Sequence, residues 1–285
     1  MLRADWNDGY TFTANIVWCE EKYAVVSQIA EFWNANTNIP FVALALYSLV
    51  RGGLHYMPWR FLICYVMVIV IGVGSYIFHS TLTKGAQLLD ELPMLLLAGQ
   101  SIFALTANSM SCLATRVYTA IVIYSLISIG TIIYLITDQA IVHQFIFGLF
   151  TAAIVVISFK LHWSSDTSAS NGSLSMGRCM MHAFYYNLSA FLLWLFDNTE
   201  YGCTVLRGLR SHWGHPWTAV LQLHAWWHIL TGLGLCWFIG GLLLSDPFHC
   251  PNYRIHCRLL CIPIVSLVEQ HTWQPIPNTQ HFVPK

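Results

Sequence analysis

Seven apolar runs, each near the length of a bilayer crossing, decide what this chain can fold into. They occupy 25–50, 60–79, 87–107, 117–137, 141–161, 180–199 and 217–244. About 20 apolar residues cross the hydrocarbon core as a helix, and in lipid only helices and closed barrels satisfy their own backbone. The composition agrees: 56% of the 285 residues are hydrophobic and 9% are charged, against about 25% charged in a soluble domain. The expected fold class is an all-α membrane protein, a seven-transmembrane-helix bundle. Residues 1–24 form an N-terminal segment, 25–246 the bundle, and 247–285 a polar, Pro-rich tail expected to be poorly ordered. The Ser/Asn/Gly-rich stretch Ser164–Gly177 reads as a flexible linker, and Met1–Glu21 lacks the apolar core of a cleavable signal peptide. A formal net charge of zero gives no reason to expect a nucleic-acid partner.

Seven crossings put the two ends on opposite sides. The N-terminal side holds five Lys and Arg residues and the other side eight. Cytoplasmic loops carry the excess of basic residues, so the C-terminal side is expected to be cytoplasmic.

Three histidines come to one depth under that topology. His79 ends the second run, and His224 and His228 lie in the first half of the last, four apart and so on one helical face. Asp90 and Glu91 begin the third run on the same side. Three imidazoles with an open fourth position make a catalytic zinc pattern. From spacing alone, helix–helix hydrogen bonding by the same histidines stays equally open, and it is the reading given to His143 and His182. Ser75, one turn before His79, either supports an oxyanion or bridges helices. The pair Gly72 and Gly74 reads as a close helix contact.

The blocks W-C-E-E-K-Y with I-A-E-F-W-N-A-N-T-N, G-S-Y-I-F-H-S-T-L, L-L-D-E-L-P-M and Q-L-H-A-W-W-H-I-L-T-G resemble the alkaline ceramidase family. More widely, they resemble the heptahelical membrane hydrolases that include the adiponectin receptors. The resemblance covers Trp18 to about Leu244. It implies an intramembrane Zn2+ held by His79, His224 and His228. Asp90 would handle the proton of the attacking water, and Ser75 would support the oxyanion. It also implies hydrolysis of ceramide, taken from the bilayer, to sphingosine and a fatty acid in an endoplasmic reticulum or Golgi membrane, with the N-terminus lumenal. A disulfide between Cys19 and Cys203 is implied in the same way.

One departure stands out. The family's calcium site reads Asp-Trp-x-Glu-x-Asn with a later Glu. Here the stretch is Val17-Trp18-Cys19-Glu20-Glu21-Lys22, and the later acid is Glu31. Two oxygen donors are gone and a positive charge has arrived, whereas Ca2+ takes six to eight oxygens. Calcium is therefore expected to bind weakly or not at all, with the Lys22 ammonium bridging Glu20 and Glu31 in its place, or else pointing to solvent. Two rivals to the hydrolase remain from sequence: a heptahelical receptor with a closed, structural zinc site, and a haem-binding electron carrier.

Overall fold

The computed structural model describes residues 7–51, 57–107, 110, 112–164, 175–245, 253–258 and 262–267. Among them run α1 (Phe32–Asn36), α2 (Asn38–Arg51), α3 (Trp59–Thr81), α4 (Lys84–Ala107), α5 (Leu113–Thr137), α6 (Ala140–Ser164), α7 (Met176–Asp197), α8 (Glu200–Trp213), α9 (Trp217–Val220) and α10 (Leu223–Leu244). Strands β1 (Tyr253–Arg258) and β2 (Ile262–Leu267) follow. Six helices, α3 to α7 and α10, are long and apolar enough to cross a membrane. The protein is an integral membrane protein.

The first expected crossing, 25–50, takes a different form. Residues 25–31 are not helical, and the helix that follows is split at Thr37 into α1 and α2, of 5 and 14 residues. Pro40 has no N–H to offer the Asn36 carbonyl four residues back, so the α1 ladder cannot run on unbroken. The last run is also interrupted: α9 stops at Val220, and α10 starts at Leu223. The connection before it contains α8, which the apolar runs did not reveal. Its N-cap is Thr199, whose hydroxyl accepts the Gly202 N–H at 3.0 Å, and Gly214 ends it at φ 65°.

The tail expected to be poorly ordered holds β1 and β2, paired antiparallel with Ile255 opposite Val265. Tyr253, Ile255 and Cys257 alternate with Arg254, His256 and Arg258, which is strand periodicity hidden behind the prolines downstream. β2 lies against α2 and α10. The linker residues 165–174 and the tail from 268 onward lie outside the described residues.

Two of the four apolar clusters among the described residues frame the site. Phe61, Tyr65, Trp237 and Leu242 lie in the larger one, among α2, α3, α4, α7 and α10. At the other end, Ile16 and Trp18 of the N-terminal segment pack on Phe78, Leu82 and Ala86. Thus the segment before α1 closes one end of the bundle.

Gly72 and Gly74 serve different neighbours. A Cβ on Gly72 would meet Val42 and Phe41 of α2. On Gly74 it would overlap the Leu89 carbonyl oxygen of α4. Pro93 lies inside α4 and has no N–H for that same carbonyl, four residues back. A carbonyl freed by proline therefore faces the glycine that lets α3 approach it. Gly74→Ala should force the helices apart and cost about 1–3 kcal/mol, as overpacking does. Thermal unfolding in detergent should show the loss. Gly85→Ala, with nothing among the described residues within 4 Å of the added carbon, should show none.

Candidate metal centre and active site

His79, His224 and His228 converge. Each offers one ligand atom, these atoms lie within 4.8 Å of one another, and all three residues are buried. The four-residue spacing does this for the α10 pair, whose rings stand 4.8 Å apart. His79 arrives from the last turn of α3.

Two of the rings are oriented by hydrogen bonds. His79 Nδ1 lies 2.6 Å from Glu31 Oε2. A carboxylate only accepts, so Nδ1 carries the proton and Nε2 keeps its lone pair for a metal. His228 Nδ1 lies 3.1 Å from the Thr37 hydroxyl, which itself donates to the Trp33 carbonyl at 2.9 Å. That hydroxyl can accept from Nδ1 in the tautomer that leaves Nε2 unprotonated. Asn38 Nδ2, a donor with two N–H groups, donates one to the Asn34 carbonyl at 2.9 Å and lies 3.3 Å from the same His228 nitrogen. His224 is held by stacking on the Trp18 indole, 3.9 Å between centroids. Among the described residues its buried Nδ1 has no hydrogen-bond partner, which suits a nitrogen whose partner is a metal ion.

The N-terminal segment supplies Glu31 and Trp18. It is fixed to the end of α3 by backbone bonds from Glu31 N–H to the His79 carbonyl (2.9 Å) and from Ala30 N–H to the Ser80 carbonyl (3.0 Å). Both Glu31 oxygens are used. Oε1 accepts from the Trp18 N–H at 3.1 Å and pairs with the Lys22 ammonium at 2.8 Å. Oε2 accepts from Asn34 Nδ2 at 3.2 Å as well as from His79. The Lys22 ammonium also donates to the Trp18 carbonyl at 2.7 Å and to the Glu20 carbonyl. It thus bridges Glu31 and two main-chain oxygens, not the two carboxylates. The Glu20 carboxylate is occupied with the Trp33 and Asn34 N–H groups of α1, at 2.7 and 2.8 Å. Burial, then the charge of Glu31, push the Glu20 carboxyl up to about 8. Burial acts the same way on Glu31, but the Lys22 ammonium and the His79 bond outweigh it and hold that carboxyl down at about 2.

α8 straps the segment from outside. Cys19 and Cys203 form a disulfide. Arg207 grips the Asp8 carboxylate at 2.6 and 3.1 Å. Buried Arg210 reaches the Cys19 carbonyl at 3.1 Å, the Leu221 carbonyl at 3.0 Å and Glu21 at 3.0 Å.

Ser75 lies on α3 one turn before His79, and its side chain neighbours the Asp90 carboxyl of α4. Lys84 does not reach Asp90; it pairs with Asp138. Glu91 faces elsewhere, taking hydrogen bonds from Tyr134 and from Gln87 (3.0 Å). His143 bonds the Glu91 carbonyl at 2.9 Å, and His182 packs on Trp237; neither meets the three converging histidines. Sequence reasoning missed Thr37, Arg210 and the grip of Glu31 on His79. Glu31 was visible only as an acid inside the first apolar run, and nothing local pointed it at His79.

Glu31→Gln should weaken metal affinity about 10- to 100-fold, as loss of a histidine's hydrogen-bond partner does. It would also leave the Lys22 ammonium buried without a counter-charge, at a cost of about 3–5 kcal/mol. Competition with a metal chelator and thermal unfolding measure the two effects separately.

The Ceramidase family model matches residues 10–249. Alkaline ceramidase 3 of Mus musculus is 32% identical over 225 residues, 78% of this chain and 80% of that protein. Alkaline ceramidase YPC1 of Saccharomyces cerevisiae is 30% identical over 246 residues, 81% of this chain and 76% of that protein. The match takes in the strapped N-terminal segment as well as every helix that carries a converging histidine. The chain belongs to the ceramidase family.

Proposed function

We propose that this protein is a zinc-dependent amidase that works inside the bilayer, hydrolysing ceramide to sphingosine and a free fatty acid. One observation carries the proposal: three buried histidine ligand atoms within 4.8 Å of one another, one helical turn from a Ser75–Asp90 pair. The mouse and yeast relatives, both named alkaline ceramidases, support the substrate. Three imidazoles without sulfur suit zinc in a catalytic site. Bound there, zinc would supply a Lewis acid for the amide carbonyl and lower the pKa of water.

The chain's own residues do the rest. Asp90 takes a proton from the attacking water as its oxygen bonds to the carbonyl carbon. Protonated Asp90 then donates to Ser75 Oγ, and the serine proton turns to the carbonyl oxygen as charge builds there. Such a donor is worth about 3 kcal/mol. Asp90 finally gives its proton to the leaving nitrogen as the C–N bond breaks. The apolar groove between α2 and α3, lined by Ile39, Val42, Leu46 and Val73, also includes Asn38, which touches His228. We assign it to a hydrocarbon chain of the substrate.

Taken together, α1 and α2 cover 32–51, about 30 Å of helix, and we read them as a first crossing that completes seven. The Lys/Arg bias and the Cys19–Cys203 disulfide favour a lumenal N-terminal segment in an endoplasmic reticulum or Golgi membrane, with the tail cytoplasmic.

Purified protein should carry zinc and hydrolyse labelled ceramide. Substituting Ala for His79, His224 or His228 should each remove both zinc and turnover. Asp90→Asn should keep zinc and slow turnover by about 10²–10⁴, and Ser75→Ala by about 10²–10³. Full turnover in a histidine variant would remove that residue from the ligand set, and zinc loss in Asp90→Asn would recast Asp90 as a ligand.

A further inference from the structure

The pocket around Lys22 has the form of a cation site that is already filled. Its walls are the carbonyls of Trp18 and Glu20 and the carboxylate of Glu31. The ammonium is the cation, and neither the Lys22 nor the Glu31 side chain has any exposure. A calcium ion does not fit these residues. It needs six to eight oxygens, and the ammonium already occupies the point where the three walls converge. The Val17 side chain brings no oxygen.

We propose that Lys22 is a built-in replacement for a structural calcium ion: its ammonium ties the Trp18–Lys22 turn to Glu31, the residue that precedes α1, and through Glu31 holds His79 in its metal-binding orientation. The geometry is continuous. Lys22 Nζ lies 2.8 Å from Glu31 Oε1, and Glu31 Oε2 lies 2.6 Å from His79 Nδ1. A tethered cation cannot dissociate, so the segment stays closed whatever the calcium level around it. Lys22 is thus a positioning residue. The part that concerns His79 rests on the proposed metal centre; the part that concerns calcium does not.

The test uses the full-length purified protein, its Val17→Asp/Lys22→Asn double variant, which restores the two lost oxygen donors, and Lys22→Met. Each is measured by thermal unfolding and zinc affinity, in calcium and in a calcium-selective chelator. The proposal expects the natural protein to unfold at the same temperature in both. The double variant should be less stable in chelator and regain stability and zinc affinity when calcium is added. Lys22→Met should lose both, with no rescue by calcium. Calcium-dependent unfolding of the natural protein would overturn the proposal, as would a double variant indifferent to calcium. A Lys22→Met protein as stable as the natural one would also overturn it. If Lys22→Met does not fold, the other two proteins decide. If no variant binds zinc, the proposed function fails, and the unfolding data still decide whether Lys22 replaces calcium.

Discussion

Burying a carboxylate in an apolar bundle costs several kcal/mol unless its lone pairs are used and its charge is matched. Glu31 meets both conditions with groups from three parts of the chain. The N-terminal segment supplies Lys22 and the Trp18 N–H, α1 supplies Asn34, and α3 supplies His79. None of these can leave without stranding the others. That dependence explains why the segment before the helices is folded at all, and why the histidine cluster lies beneath it at one end of the bundle. The disulfide and the two α8 arginines hold the same segment from its other side, with the disulfide and Arg210 buried and Arg207 partly exposed.

A second constraint sits one turn deeper. α3 and α4 approach at Gly74 because neither the glycine nor the Leu89 carbonyl has anything in between, and Pro93 leaves that carbonyl without a helix donor. The approach brings Ser75 to Asp90. Asp90 and its neighbour Glu91 diverge by about 100° around α4. One carboxyl turns to α3 and the histidine side; the other turns to Tyr134 and Gln87 and ties α4 to α5. Helical geometry alone thus sends two adjacent acids of a membrane helix to different neighbours.

Much of this was legible from the residues because membrane helices obey few rules. Length and apolarity find α3 to α7 and α10, and depth alone brings His79 level with His224 and His228. What escaped was whatever does not follow apolar periodicity. Pro40 and Thr37 split the first crossing, α8 is too polar to register as a span, and the β1–β2 hairpin hides behind prolines. The part of Glu31 in orienting His79 was invisible for another reason. It depends on a contact across 48 positions, and no local pattern in one sequence encodes such a contact. Lys22 was legible only as an oddity. Its carbonyl partners emerge once the turn before α1 is folded.

The central claim is that three histidines hold one zinc ion with a position left open for the reaction. X-ray absorption at the zinc edge of the purified protein tests it most directly. The account predicts three nitrogen scatterers near the usual zinc–imidazole distance of about 2.0–2.1 Å and one oxygen. Each of the three histidine-to-alanine variants should abolish that spectrum. A sulfur shell near about 2.3 Å, or four nitrogens with no oxygen, would contradict it.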